Sequence, residues 1–327
     1  MSEKIRWGII GTGFIAKAFA TGLSVIPDAE LVAVGSRSEA SANKFADVFN
    51  IPNRYASYKE LAADSEVDVV YIGTPHPFHK ENSLLCLENG KAVLCEKPFT
   101  INAAETEEVI NLARKKNLFL MEAMWTRFLP LTIKLRQLLA DDVIGQVQML
   151  TADLGFKMDF DPQNRLFNPH LGGGALLDVG VYTVSWASML FGQPNSVTSK
   201  CLIGETGVDD YASVILDHDQ GQLATLYMSI RAATPSEVVV IGSEGRIRVH
   251  TPMFKPVTMT LSKPDQDDEV FEVPYEGNGY NYQAIEVMRC IRAGKLESET
   301  MPLDESLVIM KTMDQIRAQW GLKYPME

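Results

Sequence analysis

The sequence predicts two domains, an N-terminal α/β domain with a doubly wound parallel sheet and a C-terminal α+β domain with an open, predominantly antiparallel sheet. The chain has 327 residues, which exceeds one average domain. Up to residue 122, short apolar runs alternate with helical segments, as is typical of a parallel sheet. Beyond it, closely spaced alternating segments joined by short turns indicate an antiparallel sheet. We therefore predict domains at 1–122 and 123–327, with the last helix a candidate to pack back on the first domain.

Each strand predicted in the first domain is a short and nearly continuous apolar run, which suits a strand that is buried on both faces. The predicted strands are Ile5–Ile10, Glu30–Gly35, Val67–Gly73, Ala92–Glu96 and Leu118–Glu122. The helices predicted between them are Ile15–Ser24, Ala40–Val48, Phe78–Asn89 and Ala103–Lys116.

The second domain is predicted to mix helices with strands whose apolar residues alternate. Its predicted helices are Phe128–Ala140, Gly174–Leu190, Tyr280–Ala293 and Leu303–Gln319. Its predicted strands are Gly145–Gly155, Ser196–Ile203, Tyr211–Asp217, Gln222–Ile230, Glu237–Ile241, Arg246–His250 and Val257–Ser262. The acidic stretch 265–269 is interpreted as a solvated loop.

Composition narrows the class of function. The net charge of −12 disfavours sequence-independent binding to nucleic acid or to an anionic membrane. No apolar run is long enough to span a bilayer, and the four scattered cysteines indicate buried thiols in a reducing compartment. We expect a cytoplasmic protein with no metal site.

A dinucleotide fingerprint of the form G-x-G-x-x-A follows the first predicted strand and opens the first predicted helix, which is the context that gives it weight. The first glycine permits a tight turn, the second lets the backbone approach a pyrophosphate, and the alanine allows close packing of helix on strand. The pyrophosphate would bind the N–H groups at the helix start. The six residues are Gly11, Thr12, Gly13, Phe14, Ile15 and Ala16.

The end of the second predicted strand favours NADP over NAD, although NAD remains open. NAD enzymes usually carry an acidic residue here, bound to the ribose hydroxyls. This chain has Ser36, Arg37 and Ser38 instead. A guanidinium group can pair with a 2′-phosphate and stack on the adenine, whereas a carboxylate would repel the phosphate. The alternative is that Arg37 is an ordinary surface residue.

Polar residues also follow two later strands of the predicted parallel sheet, and ligands bind outside the carboxyl ends of such strands. One set is Thr74, Pro75, His76 and His79, and the other is Glu96 and Lys97. A partly desolvated lysine at this edge can protonate or stabilise a substrate oxygen.

A third candidate segment begins with three glycines at 172–174 and carries Asp178 and Tyr182. Four residues apart on a helix, these two side chains share one face. A tyrosine hydroxyl beside a lysine ammonium exchanges a proton readily with an alcohol, as hydride transfer requires. Lys97, Asp178 and Tyr182 are therefore the candidate catalytic residues.

Together these motifs resemble those of the Gfo/Idh/MocA oxidoreductases over nearly the whole chain. Most members have histidine where this chain has Tyr182, which puts the usual histidine-based proton relay in doubt. The tyrosine and the segments at 121–128 and 280–286 look like the branch that contains dimeric dihydrodiol dehydrogenases and NADP-dependent xylose dehydrogenases.

The resemblance implies a Rossmann domain followed by the open sheet, with Lys97 and Tyr182 as the catalytic pair and Asp178 orienting the substrate. It further implies a sugar, polyol or diol substrate, contacted by Trp125, and a homodimer or higher homo-oligomer formed through the C-terminal sheet. Residues implied on the nicotinamide side are Thr74, Pro75, His76, His79, Glu96 and Lys97, with Glu122 and Arg127 nearby and Tyr282 over the cofactor.

Two other functions stay open at this point. One is a keto-sugar reductase of the anhydrofructose type in the same family, because the direction of reaction cannot be read from residues. The other is a non-catalytic NADP-sensing regulator, which would have no need of both Lys97 and Tyr182.

Overall fold

The structure is a computed structural model that describes residues 4–327. Two compact units are present, and their boundaries follow contacts rather than sequence order. Of the described residues, the first comprises 4–100, 104–125 and 276–306, and the second comprises 101–103, 126–275 and 307–327. The break after Trp125 lies close to the predicted boundary at residue 122. The segment Glu276–Ser306, which the prediction had assigned to the second domain, groups with the first unit.

The first unit is built on a six-stranded parallel sheet with the strand order β3-β2-β1-β4-β5-β6. This is the doubly wound Rossmann order, which confirms the predicted fold class. The strands are β1 (Ile5–Ile10), β2 (Ala29–Gly35), β3 (Asn53–Tyr55), β4 (Val69–Ile72), β5 (Ala92–Glu96) and β6 (Leu120–Ala123). The helices are α1 (Phe14–Leu23), α2 (Glu39–Phe49), α3 (Tyr58–Ala63), α4 (His79–Glu88) and α5 (Ala103–Lys116).

Aromatic packing joins α1 to the middle of this sheet. Phe19 of α1 lies between Trp7 of β1 and Tyr71 of β4, and its ring stacks on Tyr71 at 3.8 Å between centroids. Trp7, Phe19 and Tyr71 are fully buried. Three large aromatic side chains with almost no exposed area anchor the helix that follows the nucleotide fingerprint.

A later helix, α8 (Tyr280–Arg292), also packs on α1 in this unit. The contact is close at Gly22, because a Cβ atom there would lie 2.9 Å from the Cβ atom of Tyr280. Asn278 just before the helix donates a side-chain hydrogen bond to the carbonyl oxygen of Ala18. The penultimate helix therefore belongs with the dinucleotide-binding fold.

The second unit contains an eight-stranded sheet with the order β14-β13-β12-β11-β7-β10-β9-β8. Every neighbouring pair is antiparallel except β7 with β10, which confirms the predicted, predominantly antiparallel sheet. The strands are β7 (Val147–Gly155), β8 (Ser196–Ile203), β9 (Asp209–Asp217), β10 (Leu223–Ser229), β11 (Val238–Gly242), β12 (Arg246–Val249), β13 (Thr258–Ser262) and β14 (Glu269–Glu272).

Helices accompany this sheet, and the central one packs on its middle strands β7 and β10. They are α6 (Pro130–Ala140), α7 (Val181–Phe191) and α9 (Leu303–Ala318), and a π-helical turn, Leu176–Gly180, runs directly into α7. Among the described residues, the helical run 169–191 alone combines the length and hydropathy of a membrane span, and 83% of its apolar window is buried inside the fold. The expectation that no apolar run is long enough for a bilayer is therefore wrong for this run, whose burial makes it the core helix of the second unit.

Candidate active site

The turn between β1 and α1 has the geometry that a dinucleotide pyrophosphate requires. Gly11 has a φ of +105°, and a Cβ atom there would lie 2.7 Å from the carbonyl oxygen of Gly73. A Cβ atom at Gly13 would meet no atom within 4 Å, so the approach to the helix start is open. No side chain caps α1 and no acidic residue lies in its first turn. The N–H groups at this helix start are therefore available to an anion.

The remaining fingerprint residues take different places around this turn. Ala16 is fully buried and packs against the Gly73 backbone, whereas Thr12 and Ile15 are half-buried. Phe14 is 85% exposed, which is unusual for a large apolar side chain in the folded state. The structure thus places an uncovered aromatic ring at the entrance of the phosphate-binding turn.

At the end of β2, the predicted adenosine-side residues lie next to two aromatic rings. Ser36 is buried, Ser38 caps α2 by accepting from the backbone N–H of Ser41, and Arg37 is exposed. The Arg37 guanidinium lies 5.8 Å from the ring centroid of Phe78. It also hydrogen-bonds the hydroxyl of Tyr58. Burial raises the pKa of that phenol, and the interaction with Arg37 opposes the rise. Neither aromatic neighbour had been predicted from the sequence.

His79 joins the loop after β4 to the loop after β5. Its ring is fully buried, with Nδ1 2.8 Å from the carbonyl oxygen of Pro98 and Nε2 2.8 Å from that of Thr74. Burial lowers the pKa of His79, while the two carbonyl contacts oppose that effect. Asn82 donates a further hydrogen bond to the Thr74 hydroxyl. With both ring nitrogens on backbone oxygens, this histidine supports the loops from beneath.

Glu96 and Lys97 follow at the end of β5. The Glu96 carboxylate accepts a 2.5 Å hydrogen bond from the Tyr71 hydroxyl, and burial raises its pKa from 4.5 to about 7. Lys97 is half-buried, and Glu122 lies on the neighbouring strand β6, fully buried and opposite Cys95 in the register. A buried acid and a lysine thus stand side by side at the carboxyl edge of the sheet.

Trp125 is the predicted substrate contact that lies in the first unit. Its ring is 3% exposed and stacks on Tyr280 of α8, with centroids 4.2 Å apart and an interplanar angle of 12°. Tyr282, two residues along, is half-buried, and its hydroxyl accepts a hydrogen bond from the backbone N–H of Glu276. The segment after β6 is therefore fixed by the start of α8.

In the second unit, the three glycines place the start of the helix that carries Asp178 and Tyr182. A Cβ atom at Gly173 would lie 2.6 Å from the carbonyl oxygen of Leu166. Gly174 has a φ of +111° and lies against the carboxylate of Asp209. That carboxylate accepts a 2.7 Å hydrogen bond from the backbone N–H of Leu176, so it caps the helix from the neighbouring sheet.

Asp178 is held by an arginine that the sequence reasoning had missed. A guanidinium nitrogen (Nη1) of Arg165 lies 2.8 Å from Asp178 Oδ1; the aspartate side chain is 8% exposed and the arginine side chain 53%. Tyr182 is buried one turn further on, 6.0 Å from the ring of Phe254. Arg127 is buried against the same helix and donates to the hydroxyl and to the carbonyl oxygen of Ser185.

The structure therefore gathers the predicted residues into two sets. The residues predicted to bind the cofactor lie in the first unit, except for Arg127. Lys97 and Trp125 lie there too. Asp178, Tyr182 and Arg127 lie in the second. Over residues 4–327, no three His, Cys, Asp or Glu side chains form a group that could hold a metal ion.

Two family models match the chain and together cover more than half of it. The oxidoreductase family with the NAD-binding Rossmann fold, Gfo/Idh/MocA, matches residues 5–124, and the GFO/IDH/MocA C-terminal domain matches residues 132–248. Trans-1,2-dihydrobenzene-1,2-diol dehydrogenase from Xenopus laevis is 40% identical over 98% of this chain and 99% of its own. The human enzyme of the same name is 37% identical over 99% of each chain.

Solved structures of oxidoreductases also match this chain over nearly its full length. A 3-ketoreductase from Actinomadura kijaniata, in complex with NADP and TDP-benzene, matches with a TM-score of 0.87 and 25% identity over 97% of this chain and 98% of its own. An aldose-aldose oxidoreductase from Caulobacter crescentus shares the fold with a TM-score of 0.89 at 24% identity, covering 98% of each chain. The chain belongs to the Gfo/Idh/MocA family and is an NAD(P)-dependent oxidoreductase acting on CH–OH groups.

Proposed function

We propose that this enzyme is an NADP-preferring dehydrogenase of vicinal diols or sugars. The observation that carries the proposal is the 37–40% identity, over nearly the full length, to vertebrate trans-1,2-dihydrobenzene-1,2-diol dehydrogenases. The bound cofactor supplies hydride acceptance and donation at its nicotinamide. The protein binds and orients the alcohol and moves its hydroxyl proton.

Lys97 and Tyr182 form the proton relay in this proposal. When the alcohol is oxidised, its hydroxyl proton would pass to the Tyr182 oxygen. The Lys97 ammonium favours the ionised phenol by its positive charge. Asp178, held by Arg165, orients a substrate hydroxyl, and Trp125 bounds the substrate.

The residues at the end of β2 support a preference for NADP. No carboxylate occupies positions 35–38, and the exposed Arg37 lies near the Phe78 ring. Its charge would meet the 2′-phosphate of a bound NADP. Ser36 and Ser38 add hydroxyl donors. A charged hydrogen bond of this kind contributes about 1.5–3 kcal/mol, which corresponds to roughly 10- to 100-fold in affinity.

The other predicted cofactor contacts divide into direct and supporting roles. We propose that the fingerprint turn, Thr74, Pro75 and His76 contact the cofactor directly, with Tyr282 over it. His79, Glu96, Glu122 and Arg127 act from behind these residues. This division is supported by the hydrogen bonds of His79 and Arg127. Both side chains are buried, and their polar atoms bond the protein's own backbone.

We propose a homodimer that forms through the face of the second sheet opposite its helices. Large apolar side chains are exposed there on neighbouring strands. Leu202 of β8 lies opposite Tyr211 of β9, and Leu223 of β10 lies beside Met149 of β7; each is about 40–46% exposed. Ile215 of β9 adds to the patch. An exposed sheet face with several large apolar side chains suits a self-complementary interface.

A cytoplasmic location is proposed as well. All four cysteines are free thiols, and burial raises the pKa of Cys86 to about 12, so that its reactive thiolate form is rare. Such thiols suit a reducing compartment. Fractionation of the native host, with the enzyme followed by antibody, checks this location; recovery outside the cytoplasm would contradict it.

A keto-sugar reductase is the second candidate function. The matched 3-ketoreductase is in complex with NADP, and variants of it with a lysine or a tyrosine replaced are among the matched structures. In that case the relay donates a proton to a ketone oxygen instead of accepting one from an alcohol.

A cofactor absorbance screen tests the proposed function. The purified enzyme is assayed with NADP over trans-dihydrodiols, aldoses and inositols, and with NADPH over keto sugars. We expect oxidation of diols or aldoses, and none with Lys97→Met, which should still bind NADPH. Turnover of keto sugars alone would favour the second candidate. Cofactor binding with no turnover on any substrate would overturn both and leave a regulator.

A further inference from the structure

A buried tyrosine lies behind the edge of the sheet that carries Lys97. Tyr71 is on β4, its ring is stacked on Phe19, and its side chain has no exposed area. Its only hydroxyl therefore has to find its partner inside the protein. That partner is Glu96 on the neighbouring strand β5, at 2.5 Å, in a short bond of the charge-assisted kind.

Glu96 has two partners, and both are parts of the protein. The carboxylate accepts from the Tyr71 hydroxyl and from the backbone N–H of Lys97. The side chain is fixed by these bonds in the interior, 4% exposed. It holds the peptide group from which the Lys97 side chain starts, so the position of the lysine depends on this carboxylate.

The carboxylate also acts on the charge of Lys97. Burial raises the pKa of Glu96 to about 7, and the lysine's positive charge and the tyrosine hydroxyl oppose that rise. Coulomb interactions are reciprocal, so the ionised carboxylate stabilises the ammonium to the same extent. The other titratable groups packed around the pair are Cys95 on β5, Glu122 on β6, His79 on α4 and Tyr280 on α8.

We propose that the Tyr71–Glu96 pair is a positioning device that fixes the backbone at Lys97 and supplies the counter-charge of its ammonium group. Glu96 is then a positioning residue and not a ligand of the nicotinamide. The inference rests on the proposed function, because it assigns the pair its role through Lys97 in the proton relay.

The pH profile of alcohol oxidation distinguishes this role from a purely structural one. In Glu96→Gln the Lys97 ammonium loses its counter-charge, so its positive charge acts on the Tyr182 phenol undiminished and the phenol ionises at lower pH. The relay must accept a proton in oxidation, so the rising limb of kcat moves to lower pH by about one unit, the lower end of what a neighbouring opposite charge produces. In Tyr71→Phe the limb moves in the same direction by less, since Glu96 stays protonated to higher pH without its donor.

Two further measurements and the choice of variants make the test decisive. The dissociation constant for NADPH, measured by fluorescence, should change less than about twofold in both variants, as expected when the cofactor is not contacted. Tyr55→Phe is the matched control, because Tyr55 donates a 3.0 Å hydrogen bond to Asp64 in the same unit, and its profile should equal that of the wild type. Tyr71→Phe keeps the stacked ring, so it tests the proposal even if Glu96→Gln fails to fold.

The proposal is overturned if the limbs of both variants superimpose on that of the wild type, or if Tyr55→Phe shifts as much as Tyr71→Phe. Failure of the proposed function gives a different result, because Lys97→Met would then retain turnover whatever the Glu96 variants do. A loss of NADPH affinity in Glu96→Gln of tenfold or more would make Glu96 a cofactor ligand and also overturn the proposal.

Discussion

The buried carboxylate of Asp209 makes the stability of the second unit depend on pH near neutrality. Asp209 has no exposed area, and its Oδ2 caps the helix of Asp178 and Tyr182 through the backbone N–H of Leu176. Burial raises its pKa from 3.8 to about 7, against the hydrogen bonds to the helix start. We predict that the free energy of unfolding falls less between pH 5 and pH 8 in Asp209→Asn than in the wild type.

The sign follows from proton binding. Because the folded pKa is the higher one, the folded state binds more protons between pH 4 and 7, and the free energy of unfolding falls as pH rises through this window. A group with these two pKa values lowers the free energy of unfolding by roughly 2.6 kcal/mol between pH 5 and pH 8. Asparagine cannot ionise and avoids that loss, while its side-chain oxygen can still accept from Leu176.

Urea unfolding, followed by circular dichroism at pH 5 and pH 8, checks this prediction. The free energy of Asp209→Asn, taken relative to the wild type, should rise by about 2–3 kcal/mol from the lower to the higher pH. Taking the difference cancels the contribution of other buried acids such as Glu96. Asp219→Asn, at an exposed aspartate, is the control and should show no such rise. A constant difference between Asp209→Asn and wild type would refute the reasoning.

Three further substitutions have defined outcomes. Arg37→Ala should weaken NADPH binding by roughly 10- to 100-fold and leave NADH binding within about twofold, as measured by fluorescence titration. An equal loss of affinity for both cofactors would contradict the pairing of Arg37 with the 2′-phosphate. Gly174→Ala should lower the free energy of unfolding by about 2–4 kcal/mol, because the site has a positive φ and contacts Asp209. Gly221→Ala, at a positive φ in open space, should lower it by about 1–2 kcal/mol. Equal losses in urea unfolding would argue against a cost from the Asp209 contact. Arg165→Ala should lower kcat/KM for the diol by about 3- to 10-fold, a modest effect because half of the arginine side chain is in solvent; unchanged kinetics would remove Arg165 from the site.

Most of the fold could be predicted because buried parallel strands have a strong local signature. Continuous apolar runs marked five of the six strands in the first unit. The one missed, β3, is a three-residue edge strand, Asn-Arg-Tyr, in which no residue is buried. Strand β14 was missed for a similar reason, since it is a short edge strand with mostly exposed residues. Neither has an apolar run that sets it apart from a loop.

Site residues were predictable where polar side chains interrupt a regular pattern, as at Lys97 after β5. Residues that act through packing gave no such signal. Tyr71 is an ordinary aromatic residue in a buried strand until it is paired with Glu96, 25 positions away. Asp209 meets the N–H of Leu176 across 33 positions. Only tertiary pairing reveals these contacts, because local pattern carries no information on a partner so far along the chain.

The central claim, that Lys97 and Tyr182 serve one proton relay, is tested most directly by a double-mutant cycle. The turnover number for diol oxidation is measured for the wild type, Lys97→Met, Tyr182→Phe and the double variant. Residues that act as a unit are strongly non-additive. We predict that each single variant loses roughly 100- to 10,000-fold in kcat and that the double variant loses little more than the worse single one. Losses that multiply in the double variant, or substantial turnover in Lys97→Met, would contradict the relay.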